Sequence, residues 1–206
     1  MNIFRTSRIL LAGAALALLA AGAEAASPDT LTLTVAIGNQ LSVRLRDAGG
    51  ADLSAYDFGP MSLGQASVNS SPINVDNDSG GLMESLQLSV GDTGGGLILR
   101  TTTGALAQDE YRLQALFQDA QPAHGDFGSE DILTASAQAA QAQGAGAVFA
   151  TASTVTAEDG VSVADNNRLG TPPTAEVRLW LRLELAGSST LSGTQANFAT
   201  VYVNAY

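Results

Sequence analysis

The sequence predicts an all-β protein, two antiparallel sheets packed as a sandwich of about nine strands, exported behind a cleavable leader. Three observations predict it. Apolar and polar residues alternate with period two through most of the chain. Stretches rich in Gly, Asn and Asp interrupt that alternation at short intervals, and hardly any segment carries helical periodicity.

The leader comes first. Arg5 and Arg8 form a positive start, and Ile9 to Ala20 is an apolar run broken only by Gly13, the length of a signal h-region and too short for a membrane span. Ala23 and Ala25 supply the small residues that signal peptidase requires, so residues 1–25 read as leader and 26–206 as one domain. No Cys follows the run, which excludes a lipoprotein signal. The expected location is outside the inner membrane: secreted, at the cell surface or in the periplasm, with no integral membrane segment after cleavage.

The strands follow in order. Leu31, Leu33 and Val35 alternate with Thr, and Leu41, Val43 and Leu45 alternate with Ser42, Arg44 and Arg46, which predicts two strands joined at Gly38-Asn39. Ile73 and Val75 lead into Asp76-Asn77-Asp78-Ser79-Gly80-Gly81, a turn by composition, after which Leu82, Glu84, Leu86, Leu88 and Val90 alternate with Met83, Ser85, Gln87 and Ser89. Leu97 to Thr102 and Tyr111 to Phe117 are two further strands around a turn at Gly104. Ser136 to Gln143, rich in Ala and Gln, reads as a short helix or a loop, stopped by Gly144 and Gly146, with a short strand at Ala147 to Ala150. Pro172-Pro173 breaks the chain. Val177, Leu179, Leu181, Leu183 and Leu185 then alternate with Arg178, Trp180, Arg182 and Glu184, the strongest pattern present. A last strand starts at Phe198, with Val201 and Val203 on one face and Tyr202 on the other.

Composition narrows the function. The chain carries 9 basic and 20 acidic residues, a net charge of −11, and every basic residue is Arg. Loss of the leader removes Arg5, Arg8 and Glu24 and leaves the domain more acidic still, so nucleic acid, which needs a basic surface, is not an expected partner. With no Cys, stability rests on packing and hydrogen bonds, and thiolate metal sites are excluded.

Asp57-Phe58-Gly59, Leu63-Gly64 and Ile73-Asn74-Val75-Asp76-Asn77-Asp78-Ser79-Gly80 resemble a pattern of bacterial immunoglobulin-like sandwich domains. Tyr111 to Phe117, Asp131 to Thr134 and Leu179 to Glu184 are similar to segments of uncharacterised bacterial secreted proteins with a signal peptide and a single domain of that kind. The resemblance covers most of the chain after the leader. It implies an immunoglobulin-like fold and brings no catalytic residues with it.

Sites for chemistry are few. His124 is the sole histidine and sits in a loop-like segment without a nucleophile elbow, which argues against Ser-His-Asp catalysis and against zinc hydrolysis. No acidic pair sits in a recognisable glycosidase context. The expectation is a protein that is not an enzyme and needs no cofactor. Asp76 and Asp78, with Asn77 between them, offer oxygens of the type calcium takes, as do Glu130 and Asp131, but no Glu stands at the twelfth loop position and turn chemistry accounts for the first group. Alternation turns Trp180 away from the core between Arg178 and Arg182. Two readings follow: a contact surface of Arg178, Trp180 and Arg182, or a Trp covered by a loop or by the Arg stems. Phe198, Tyr202 and Tyr206 are similar to the end of an outer-membrane barrel, yet the chain lacks the series of long lipid-facing strands a barrel wall requires. The expected role is structural, adhesive or filament-forming, by self-association through edge strands or with other surface proteins. The alternative is a carbohydrate- or ligand-binding module at the Trp180 face.

Overall fold

A computed structural model describes residues 31–40, 43–78, 84–141, 148–149, 170–171, 176–192 and 198–205. The expected leader, residues 79–83 with the end of the expected turn and the start of the strand after it, the glycines after Gln141 and Pro172-Pro173 lie outside the described residues. Among the described residues there are twelve strands and two single 3-10 turns, and no helix is long and apolar enough to cross a membrane.

The strands are β1 (Leu31–Gln40), β2 (Val43–Arg46), β3 (Ala55–Met61), β4 (Ala66–Val68), β5 (Ile73–Asn77) and β6 (Glu84–Asp92). They continue as β7 (Ile98–Leu99), β8 (Glu110–Phe117), β9 (Gln138–Ala139), β10 (Gly170–Thr171), β11 (Glu176–Leu185) and β12 (Ala199–Ala205). The first sheet has the order β10-β6-β12-β1-β3, with β9 also on β6. The second has the order β2-β5-β11-β8-β7, with β4 also on β11.

The period-two pattern sets which faces meet. On β11, Val177, Leu179, Leu181, Leu183 and Leu185 are all buried, and on β8 so are Tyr111, Leu113, Ala115 and Phe117. Leu179 pairs with Phe117, Leu181 with Ala115 and Leu183 with Leu113, so large and small side chains alternate along the ladder. Leu86, Leu88 and Val90 of β6 and Ala199, Val201 and Val203 of β12 bring the first sheet into the same core. Each fully buried Leu or Val contributes about 1.5–3 kcal/mol relative to exposure. Tyr111 meets Phe198 edge-on at 4.7 Å, and burial raises the Tyr111 phenol pKa.

Several expectations change. Gly38-Asn39 is not a turn: Gly38 pairs with Tyr202 and Asn39 with Val203 inside β1, and β2 belongs to the other sheet. The sheets are mixed rather than antiparallel, because β1 runs parallel to β12 and β7 parallel to β8. Asp76 and Asn77 extend β5 instead of opening the turn. The Ala-Gln stretch is no helix where it is described. Gln138 pairs with Leu88 and Ala139 with Gln87, and Ala140 is fully buried with its N–H bonded to the Leu86 carbonyl. Burial and a free sheet edge outweigh a helix propensity of at most about 1 kcal/mol per residue. Of the expected strand at Ala147 to Ala150, Val148 bridges to Gln141 and Phe149 is buried.

Among the described residues no two consecutive strands form an antiparallel hairpin. One consequence appears at β11, whose edge is shared by β5 at residues 176–179 and β4 at 182–184. Asn69 fills the gap. Its backbone N–H donates to the Leu181 carbonyl at 3.0 Å, its Oδ1 accepts from the Leu181 N–H at 2.8 Å, and its Nδ2 donates to the Ser71 carbonyl at 2.7 Å. Asn69 is 1% exposed, so nothing in solvent replaces those bonds. Asn69→Ala strands the Leu181 N–H and is expected to cost about 1–3 kcal/mol in urea denaturation. An unchanged midpoint and slope would show that the gap closes in another way.

Candidate functional site

The outward residues of β11 lie against those of β8 on the side of the second sheet away from the core. Trp180 pairs with Leu116, Arg182 with Gln114 and Glu184 with Arg112. The Glu184 carboxylate accepts from Arg112 Nη1 at 3.1 Å and from Arg182 Nη1 at 3.3 Å. Arg182 Nη1 also donates to Gln114 Oε1, and Arg112 Nη2 to the Gly104 carbonyl. Gln114 Nε2 donates to the Gly128 carbonyl at 2.7 Å. One carboxylate between two guanidiniums, each with a further partner, forms a network that pins two loops to the sheet.

Trp180 faces outward as alternation requires, yet it is 4% exposed. It packs with Leu116, Phe127 and Val68 in a small second core. Its indole Nε1 donates to the Gln118 carbonyl at 2.7 Å, and Arg178 Nη1 donates to the Asp119 carbonyl at 2.9 Å. The chain after β8, through the 3-10 turns His124–Asp126 and Ser129–Asp131, is thereby drawn over the Trp. Of the two readings of this face, the covered Trp is the arrangement present, and the expected open platform at Arg178, Trp180 and Arg182 is not. His124 is exposed on the covering segment.

The oxygen-rich residues are divided. Asp76 Oδ2 lies 2.8 Å from Arg46 Nε, so a guanidinium stands where a calcium ion would be needed, while Asp78 is exposed at the end of β5. Burial raises the Asp76 pKa and Arg46 opposes the rise. Among the described residues no three His, Cys, Asp or Glu side chains group to hold a metal. Glu130 is exposed beside Ser129.

Asp131 is the residue whose role the sequence conceals. It is 3% exposed, and its carboxylate accepts from the Gly128 N–H at 2.7 Å and from the Phe149 N–H at 2.9 Å. The Phe149 carbonyl in turn accepts from the Phe117 N–H at 2.7 Å, so Asp131 fastens a distant segment to the end of β8. Burial, opposed by the two N–H groups, pushes its pKa up to about 6. The one local signal is an acid three residues after Gly128, the spacing of a helix-cap exchange. Asp109, at φ 61°, does a similar job where the chain is half-buried. It accepts from the Ser189 hydroxyl at 2.5 Å and from the Thr190 N–H and hydroxyl at 2.7 and 2.6 Å, and these bonds lower its pKa.

Compared with known proteins, the chain matches no family model and no curated sequence. The resemblance to immunoglobulin-like secreted proteins stays an expectation drawn from the sequence motifs. Two of their glycines, Gly59 and Gly64, have φ of 73° and 74°, a conformation that side chains disfavour, which makes them structural.

Two outcomes follow. The emission of Trp180, the single Trp, should be that of an apolar setting and resist acrylamide; Trp180→Ala should cost about 3–5 kcal/mol. Emission typical of water and free quenching would mean that the covering segment does not stay closed. For Asp131, the folded pKa lies above the ordinary value of 3.8, so its contribution to stability is full below pH 3.8 and is lost as pH rises through about 6. The stability lost in Asp131→Asn should therefore grow by on the order of 2 kcal/mol between pH 7.5 and 4.5. A difference independent of pH would contradict the buried carboxyl.

Proposed function

We propose that the chain is an exported, non-enzymatic structural or adhesive domain of the cell surface or periplasm, which acts by self-association. In this reading it is an immunoglobulin-like two-sheet sandwich. Two sheets around one core and the parallel pairing of β1 with β12 support that likeness. The placement of β11 and β12 in different sheets sets its limit.

One observation carries the functional reading: the polar residues that stand out in the sequence are spent on holding the fold. Arg178 and Trp180 clamp the chain after β8, Arg182 shares Glu184 with Arg112, Asp76 pairs with Arg46, and Asp131 binds two backbone N–H groups. A surface whose Arg and Trp groups are committed internally suits a building block better than a small-ligand site.

The full chain, expressed with its leader in a bacterium, is expected outside the inner membrane, beginning at Ala26 and forming oligomers or fibres at high concentration by light scattering and electron microscopy. A purified product that stays monomeric without fibres overturns the reading. Glycan-array binding that vanishes in Trp180→Ala, with the circular dichroism unchanged, replaces it with a carbohydrate-binding module at Arg178, Trp180 and Arg182.

A further inference from the structure

The outer strands of both sheets carry features that hinder ordinary strand addition. At the edge of the first sheet, β3 bends where its pairing with β1 shifts register. There the Gly59 N–H is taken by Asp57 Oδ1 at 2.8 Å, and Pro60 has no N–H to offer. At the edge of the second sheet, the chain after β2 folds back on it. Asp52 bridges to Arg46, the Leu53 N–H donates to the Leu45 carbonyl at 2.9 Å, and Asp52 pairs with Arg44 at 2.6 Å. The remaining edge strands, β4, β7, β9 and β10, are two or three residues long. Bulges, proline, covering turns and very short strands are the devices that prevent edge-to-edge association.

β1 is built differently. It is ten residues long, with Val35 to Gln40 matched to Ala199 to Asn204 of β12 on one side and Leu31 to Ala36 matched to Met61 to Ala55 of β3 on the other, so that Val35 and Ala36 are paired on both. Among the described residues nothing else joins β12 to β3 within the sheet, so β1 occupies a slot between these two strands. It is also the first described element, and its partner β12 is the last. A second copy's β1 entering that slot would remake every one of these bonds in the same register. Exchange of an identical element in this way is a low-cost route to assembly.

We propose that copies of this chain associate by exchanging β1, each copy's β1 filling the slot between β12 and β3 of another. This deepens the self-association reading and rests on it, while replacing edge addition as its route.

The absence of native Cys makes a direct test available. Ala36 and Thr200 are register partners across β1 and β12, within the usual reach of a disulfide. Two full-length variants, Ala36→Cys and Thr200→Cys, are mixed, concentrated and oxidised, and the disulfide-linked heterodimer is identified by mass. The expected result is a heterodimer that accumulates well above the one formed by Ala36→Cys with Ser136→Cys, an exposed control position. The double variant should divide between internal and cross-chain links, with the cross-chain share rising with concentration. Oligomers with no excess heterodimer, and a double variant linked only within its own chain, overturn β1 exchange and leave self-association standing. A chain that stays monomeric overturns both.

Discussion

Everything in the second sheet hangs on β11. Its five inward apolar residues are paired through one edge with β8 and through the other with β5 and β4 in succession, so four strands meet on one ladder. The period of two makes this possible. It sends Val177 to Leu185 into the core while Arg178, Trp180, Arg182 and Glu184 work on the other face. A slip of one residue would turn four charged side chains, Glu176 included, toward the core and expose five apolar ones, which sets the register firmly.

From that ladder the loops acquire their anchors. Asn69 completes the edge between β5 and β4, Trp180 and Arg178 hold the chain that leaves β8, and Gln114 and Asp131 fix the same segment further on. A chain without disulfides thus uses buried side-chain to backbone bonds as staples. Because β5, β8, β6 and β1 find β11 and β12 across long stretches of sequence, the described sheets rest on non-local pairing, a topology associated with slow folding.

What could be read from sequence and what could not divides along the same line. β11, β8, β6 and β12 were legible because each carries its own alternation, and a strand's inward face is a local property. Gly38-Asn39 misled because turn-forming residues are tolerated in a strand held by tertiary pairing, here with Tyr202 and Val203 of β12. The cover over Trp180 was open between two readings for a different reason. Alternation says which face a side chain takes, while its indole partner Gln118 is 62 residues away. Asp131 looked like any loop acid, and its burial depends on Phe149, which arrives from outside the local segment.

Native-state hydrogen exchange along β11 and its neighbours tests this account most directly. If β11 is the strand on which the sheet depends, the amides of Leu179 to Leu185, Leu181 included, open only with global unfolding and exchange at the slowest rates in the molecule. The short edge strands β7 and β2 open earlier. Amides of β11 exchanging as fast as those of Val43 to Arg46 would contradict it.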